Sequence, residues 1–463
     1  MIMDDALPGI KSFLKAASLK PNAVGMLIRL VAAFTGHVGR MSASQAAGAV
    51  RSQARHRAAM VRFLAQLRWS RDWAVLTQTA DLLRQAESRR QGTWLFLVDQ
   101  TYCGQQGQKT ENTFSRANHR PRPKKGQRRQ KKYAKRSCHG FVMGLLLTPS
   151  GLRIPSCRCY YTKEYCAAQN KPMPYRKQTE LAAELIRAVG VPEGADVVVL
   201  GDTAFDAEVI REACAERQWT WIVPLNPERV LEGAKPRPKV WSLVKELKAE
   251  PFTPVRLTPG QGPFVAQRRV ARCRLGPKVK TRTFYVHPER RQVHSLGEVQ
   301  LVFSTKGKPV PGGAVDVQKI LVTNDLTRTA ASVVELYTLR WQIELFFKEL
   351  KSTLGFHHYR FRRFRKVEAW AQACLVAFVY LEWHRTQQLR RRDLSDQQRR
   401  WWQWQRSHGL ATAVRRAAEE RDLTHLFRWS GTKTGRKKLR KHLRAALPLE
   451  CRDALKNQKE RAA

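Results

Sequence analysis

Three carboxylates stand where phosphoryl-transfer chemistry would need them. Asp99 ends the apolar run Trp94-Leu-Phe-Leu-Val98, and Asp202 ends the run 197–201. Continuous apolar runs of this length suit strands buried on both faces, so both carboxylates fall at or near strand ends. Glu344 lies in the stretch 336–354, which has no Gly or Pro and is rich in Leu, Glu, Lys and Phe, so one helix is predicted there. On that helix Tyr337, Arg340, Glu344 and Lys351 would share an arc of about 60°, opposite an apolar face built from Leu336, Leu339, Ile343, Phe346, Phe347, Leu350 and Leu354. Two Asp and one Glu are hard oxygen donors suited to Mg²⁺. Two such ions, about 3.5–4 Å apart, stabilise both the attacking and the leaving oxygen of an in-line displacement at phosphorus. From spacing alone the helix also reads as an amphipathic helix with solvated charges, including the pair Glu344 and Lys348. Asp99 alternatively opens a loop. Asp325 is a rival carboxylate at a strand end, although its Thr-Asn-Asp-Leu-Thr setting has the character of a turn and helix cap.

The elements that must position these residues are mixed. Residues 1–90 read as helical. Within them an Ala-rich segment at 41–50, a turn at Arg51-Ser52 and a basic helix at 53–67 have the outline of a helix-turn-helix. Gln53, Arg55 and Arg57 would then face DNA; otherwise these are scaffold helices with solvated arginines. A strand at 94–99, a hairpin over 139–148 and 152–161 around Pro149-Ser-Gly151, a helix at 175–189, a strand at 196–202, a helix at 204–217 and a strand at 219–225 follow. This order is α/β in character. From 227 to 317 Pro and Gly recur between short alternating stretches at 264–274, 281–287 and 298–304, predicting a β-rich insertion. A core strand returns at 318–325, and a buried helix is predicted over 367–383.

Composition narrows the partners. The chain has 463 residues, 85 Lys and Arg against 38 Asp and Glu, and a net charge of +47. Self-repulsion of that size points to a polyanion, nucleic acid before membrane. No apolar run is long enough to span a bilayer. The start Met1-Ile-Met-Asp-Asp5 lacks the basic-then-apolar order of a signal peptide, so a cytoplasmic location is expected. Nine scattered Cys suit a reducing compartment, and Cys157-Arg-Cys159 is too tight for a zinc knuckle. The segment 105–136 holds twelve Lys and Arg and one Glu and reads as a basic loop able to grip phosphates. Arginines interleave with aromatics at 355–365, a pattern suited to a nucleic-acid surface or to local packing. Beyond 386 the chain reads as basic and helical. Trp401, Trp402 and Trp404 there suit packing, and 431–444 carries seven Lys and Arg.

Taken together, Tyr337-x₂-Arg340-x₃-Glu344-x₆-Lys351, with Val98-Asp99-Gln-Thr and Leu200-Gly-Asp202-Thr-Ala-Phe205 upstream, resembles the Y-R-E-K signature and Asp regions of bacterial insertion-sequence DDE transposases. The resemblance covers about 94–383. It implies an RNase H-like mixed-sheet core in two parts, 91–226 and 318–385, interrupted by the β-rich insertion at 227–317. Helical regions flank the core at 1–90, for DNA ends, and at 386–463. It implies that Asp99, Asp202 and Glu344 bind two Mg²⁺, with Mn²⁺ as a possible substitute, and that Tyr337, Arg340 and Lys351 contact phosphates. Trp241, the only Trp of the insertion, would stack a flipped base. The implied activity is binding of terminal inverted repeats in double-stranded DNA, cleavage by metal-activated water and transfer of the 3′-hydroxyl to target DNA. Synapsis implies at least a dimer, and a bacterial source implies association with the nucleoid. A catalytically silent DNA-binding derivative and a stand-alone metal-dependent nuclease are the alternatives.

Overall fold

The computed structural model describes residues 7–17, 21–36, 46, 54–66, 69, 71–105, 109–117, 135–169, 173–233, 237–257, 282–390, 395, 426–427, 429–437 and 439. All but Ala46 of the Ala-rich segment 41–50, Gln53, and the side chains of Arg55 and Arg57 lie outside the described residues. So do 118–134, the predicted strand at 264–274, the Trp401, Trp402 and Trp404 cluster, and 438 and 440–444 of the basic stretch 431–444.

The sheet is built around β1 (Trp94–Gly104). It pairs antiparallel with β3 (Lys135–Leu147), from Leu95 opposite Leu147 to Gly104 opposite Cys138, and parallel with β5 (Val197–Leu200). A strand with neighbours on both edges and helices on both faces must be apolar throughout, which is the pattern of its first five residues. Leu95, Phe96 and Leu97 are fully buried, each side chain contributing ~1.5–3 kcal/mol of burial. β2 (Phe114–Ala117) and β4 (Arg153–Tyr160) share the outer edge of β3. The β3–β4 turn closes through the Thr148 carbonyl, with Gly151 at φ 89°. On the other side β6 (Thr220–Pro224) runs parallel to β5. The result is a mixed sheet with helices on both faces, as expected for the core.

The insertion does not fold apart from that sheet. β7 (Thr253–Leu257), β8 (Arg282–Val293) and β9 (Gly297–Thr305) join it through β10 (Lys319–Thr323), which pairs antiparallel with β6. The sheet order is β2-β3-β1-β5-β6-β10-β9-β8-β7, with β4 on β3. β8 and β9 fall on the predicted stretches at 281–287 and 298–304, and a short helix at Val240–Glu246 lies within the same β-rich insertion. The basic segment 105–136 is likewise not loop throughout, because β2 and the start of β3 lie inside it.

Ten further helices cover the faces among the described residues. We number them α1 (Leu7–Ala16), α2 (Pro21–Gly36), α3 (Ala54–Ala65), α4 (Ala74–Glu87), α5 (Lys163–Ala167), α6 (Gln178–Ala188), α7 (Glu208–Glu216) and, after the insertion helix α8 (Val240–Glu246), α9 (Ala330–Thr338). α10 (Trp341–Ser352) and α11 (Phe364–Arg390) complete the set. Alternation along β4 separates the layers. Arg153 reaches Glu349 of α10 and Glu382 of α11, whereas Arg158, of opposite parity, reaches Glu184 of α6. α11 is buried on every side from Ala369 to Val379 because the N-terminal helices cover the surface that the sheet does not. Phe34 meets Trp370 edge-on at 4.8 Å, and Phe13 meets Tyr380 at 5.5 Å. No helix among the described residues is long and apolar enough to cross a membrane.

Candidate active site

Parallel pairing brings the two aspartates together. Leu97 of β1 lies opposite Leu200 of β5, so the positions two residues further on, Asp99 and Asp202, are neighbours across strands about 4.8 Å apart. Asp99 is buried, and the Gln100 amide donates to its Oδ1 at 2.7 Å. Asp202 leaves the strand and caps a 3-10 turn, its Oδ1 accepting from the Ala204 amide at 2.9 Å. Gly201 lets that turn fold tightly, because a Cβ there would stand 2.9 Å from the Phe205 Cβ. Asp206 then ties the turn down. It pairs with Arg211 at 2.9 Å and with Arg229 at 2.6 Å, and Arg229 reaches Ser295 in the β8–β9 hairpin at 3.0 Å. The insertion thus grips the turn that carries Asp202.

The helix expected over 336–354 is two helices. α9 ends at Thr338 and α10 begins at Trp341. Across the join the amides of Leu339, Arg340, Gln342 and Ile343 each bond three residues back, to the carbonyls of Leu336, Tyr337, Leu339 and Arg340. This 3-10 tightening needs no Gly or Pro, so composition gives no warning of it. Tyr337 therefore sits on the last turn of α9, and only Glu344 and Lys351 share α10. Arg340 stands at the join. It donates to Glu344 Oε1 at 2.9 Å and makes a longer contact of 3.4 Å with Asp99 Oδ2. Glu344 is thereby linked to the strand-end aspartate through one guanidinium.

The remaining predicted residues lie at differing depths. Tyr337 is 8% exposed, with the Lys319 ammonium 4.8 Å from its ring centroid, and burial pushes its phenol up to about 12. Lys351 donates to the Tyr102 carbonyl at 3.0 Å, three residues beyond Asp99 on β1, and burial lowers its ammonium. Trp241 lies on α8 in the insertion, 37% exposed, with Lys245 stacked 4.1 Å over its ring. Among the described residues it makes no hydrogen bond or ring contact with the carboxylates. Asp325 is excluded from their neighbourhood by strand direction. β10 runs against β6, so Asp325 emerges at the opposite end of the sheet, where it caps Thr327 and Arg328 and pairs with Arg328. Sequence reading does not single out Lys319, or Arg116, which lies 3.7 Å over the Tyr102 ring. Both are cation–ring contacts, Arg116 meeting Tyr102 through strand register and Lys319 meeting Tyr337 across a strand–helix contact, and single-strand patterns carry neither.

Electrostatically the site is poised for a cation. Burial raises the Asp99 carboxyl to about 6. The Gln100 amide and Arg340 oppose this, while Asp202 and Glu344 add to it. Three mutually repelling hard-oxygen carboxylates fit divalent ions in chemistry. In this arrangement, however, no three His, Cys, Asp or Glu side chains among the described residues converge on one ion position. Arg340 supplies the positive charge instead.

The site thus sets paired strand-end aspartates and a helical glutamate at one end of a mixed sheet. The chain matches the transposase DDE domain family over residues 91–380, more than half its length, and it belongs to that family. Membership carries DNA as substrate, transposase-type cleavage and transposition, and a requirement for divalent metal. No curated protein matches the chain.

Proposed function

We propose that this protein mobilises an insertion sequence, with Asp99, Asp202 and Glu344 as its catalytic and metal-binding carboxylates. The observation that carries the reading is the adjacency of Asp99 and Asp202 on parallel strands, with Glu344 linked to Asp99 through Arg340. Two Mg²⁺ ions, or Mn²⁺ in their place, would supply Lewis-acid charge at the attacking and leaving oxygens. The first displacement consumes water and leaves a 3′-hydroxyl; the second uses that hydroxyl on target DNA. No covalent protein intermediate is involved.

The flanking residues handle DNA. Arg340 presents a planar fork that transfers from carboxylates to a phosphate as ions enter. Tyr337 and Lys351 bracket it, completing the Y-R-E-K set. The exposed face of Trp241 receives an unstacked base. The region 1–90 reads terminal inverted repeats through Arg55 and Arg57, and 386–463 supports a synaptic complex of at least two copies. The core is split into 91–226 and 318–385 by the insertion 227–317. A bacterial cytoplasmic, nucleoid-associated setting follows.

The test uses a labelled duplex bearing the element's ends, a plasmid target, and wild type against Glu344→Gln with and without Mg²⁺. Metal-dependent cleavage and joining, lost in the variant while end binding persists, is the expected result. Cleavage without a joined product favours a stand-alone nuclease. Binding without chemistry in the wild type favours a silent derivative. Full activity in Glu344→Gln overturns the site.

A further inference from the structure

A second concave site lies at the unpaired outer edge of β4, between the two helix layers. It is a cavity of about 600 Å³ whose lining includes Arg71, Trp73, Arg158, Tyr161, Tyr165 and Arg365. The Tyr161 and Tyr165 rings are nearly parallel, 5.8 Å apart at 9°. The Tyr161 hydroxyl donates to Glu368, and burial raises that carboxyl to about 7. Arg158 and Arg176 both lean on Glu184. Among the described residues neither Arg71 nor Arg365 makes an ion pair within 4 Å, and Arg365 lies near enough to Glu368 to draw that carboxyl down. The rim is held by Asp72 and Trp73 at φ 50° and 58°, a left-handed conformation that side-chain-bearing residues avoid. Nothing in the candidate active site uses these groups.

Strand register relates the cavity to the carboxylates. Tyr102, three residues beyond Asp99, pairs with Gly140, and Gly140 pairs with Tyr160. The cavity therefore lies toward the end of the sheet where Asp99 and Asp202 emerge, two strands over and ~15 Å away by strand geometry. Its size falls within the range of small-molecule sites and is on the scale of one nucleotide. Parallel aromatic rings offer a face to any base, and unpaired arginines offer forks to a phosphate.

We propose that this edge cavity binds one unpaired nucleotide of the DNA substrate, with its base against Tyr161 and Tyr165 and its phosphate on Arg71 and Arg365. The inference rests on the transposase reading only for DNA as the source of that nucleotide.

The test measures binding of the full chain to a blunt duplex and to the same duplex with a short single-stranded tail, by fluorescence anisotropy. Wild type is compared with the Arg71→Gln, Arg365→Gln double variant and with Tyr165→Leu. The expected result is a loss of roughly tenfold on the tailed duplex for each, with blunt binding changed less than twofold. A tail carrying 5-iododeoxyuridine is expected to photocrosslink to the peptide bearing Tyr161 or Tyr165. Equal losses on both duplexes would reduce the arginines to general charge and overturn the proposal, as would crosslinks confined to other peptides. If Tyr165→Leu does not fold, the arginine variant and the crosslink decide. Glu344→Gln should keep the tail preference, so failure of the active-site assignment reads out separately.

Discussion

α10 contributes a glutamate to each of two arginine–carboxylate clusters, and their construction differs. Toward its C-terminal end Glu349 accepts from Arg153 at 2.9 Å, Arg153 also bonds Glu382 at 2.8 and 3.0 Å, and Arg385 pairs with the same Glu382. The side chains of Glu382 and Arg385 are 0% and 2% exposed. Burial opposes charge on Arg153, but Glu349 and Glu382 outweigh it and hold the guanidinium above its ordinary range. At the N-terminal end a single arginine, Arg340, serves Asp99 and Glu344, and Glu344 is 33% exposed. The closed cluster locks β4, α10 and α11 together. The open one leaves carboxylates beside solvent with a counterion that can be exchanged. The same chemistry thus fixes the helix at one end and stays available for ligands at the other.

The sharpest break of this contrast is Arg153→Leu. It strands Glu382 with Arg385 alone and Glu349 with no cation, in a dry setting, and should destabilise by about 3–5 kcal/mol in denaturant unfolding. Arg340→Leu, in the wetter cluster, should cost about 1 kcal/mol or less. Comparable losses would erase the distinction between lock and site.

A second test concerns what the open cluster costs the fold. The Asp99 carboxyl is raised from 3.8 to about 6 in the folded protein. The folded state then holds a proton that the unfolded chain has released, so its contribution to stability falls as pH rises between those values. Asp99→Asn removes this dependence. Above pH 6 the variant should be more stable than wild type by roughly 2–3 kcal/mol, while losing cleavage. Thermal melts across that window check it, and a pH-independent difference would show that Asp99 pays no burial penalty.

Much of this was legible in the chain, for identifiable reasons. The buried runs before Asp99 and Asp202 have a two-sided apolar signature, and the hairpin around Gly151 has a turn signature. Both are local. The break between α9 and α10 is local too, but four amides bonding three residues back leave no compositional mark. It moved Tyr337 off the helix of Glu344. The insertion reads as β-rich, but its fusion to the sheet through β10 depends on long-range pairing. Arg153, Glu349 and Glu382 look like ordinary surface charges in sequence. Their meeting requires three elements to be folded, so no spacing rule finds them. Arg229, which anchors the Asp202 turn, is hidden for the same reason.

Metal binding is the most informative measurement about Arg340. If its guanidinium stands in for metal charge between Asp99 and Glu344, it competes with ions for the same oxygens. Removing it trades one penalty for another: the carboxylates lose a counterion, and the vacant position becomes open to a harder one. Arg340→Ala should therefore bind Mn²⁺ without DNA roughly tenfold more tightly than wild type, ~1.4 kcal/mol, as read by the free Mn²⁺ signal in electron paramagnetic resonance. Arg340→Lys should fall between, since an ammonium is a point charge that cannot bridge two carboxylates as a planar fork does. Arg153→Lys, at the closed end, should leave Mn²⁺ affinity unchanged. Equal Mn²⁺ affinity in wild type and Arg340→Ala would mean that the guanidinium and the ions do not share a place. The open cluster would then be a second lock rather than an exchangeable site.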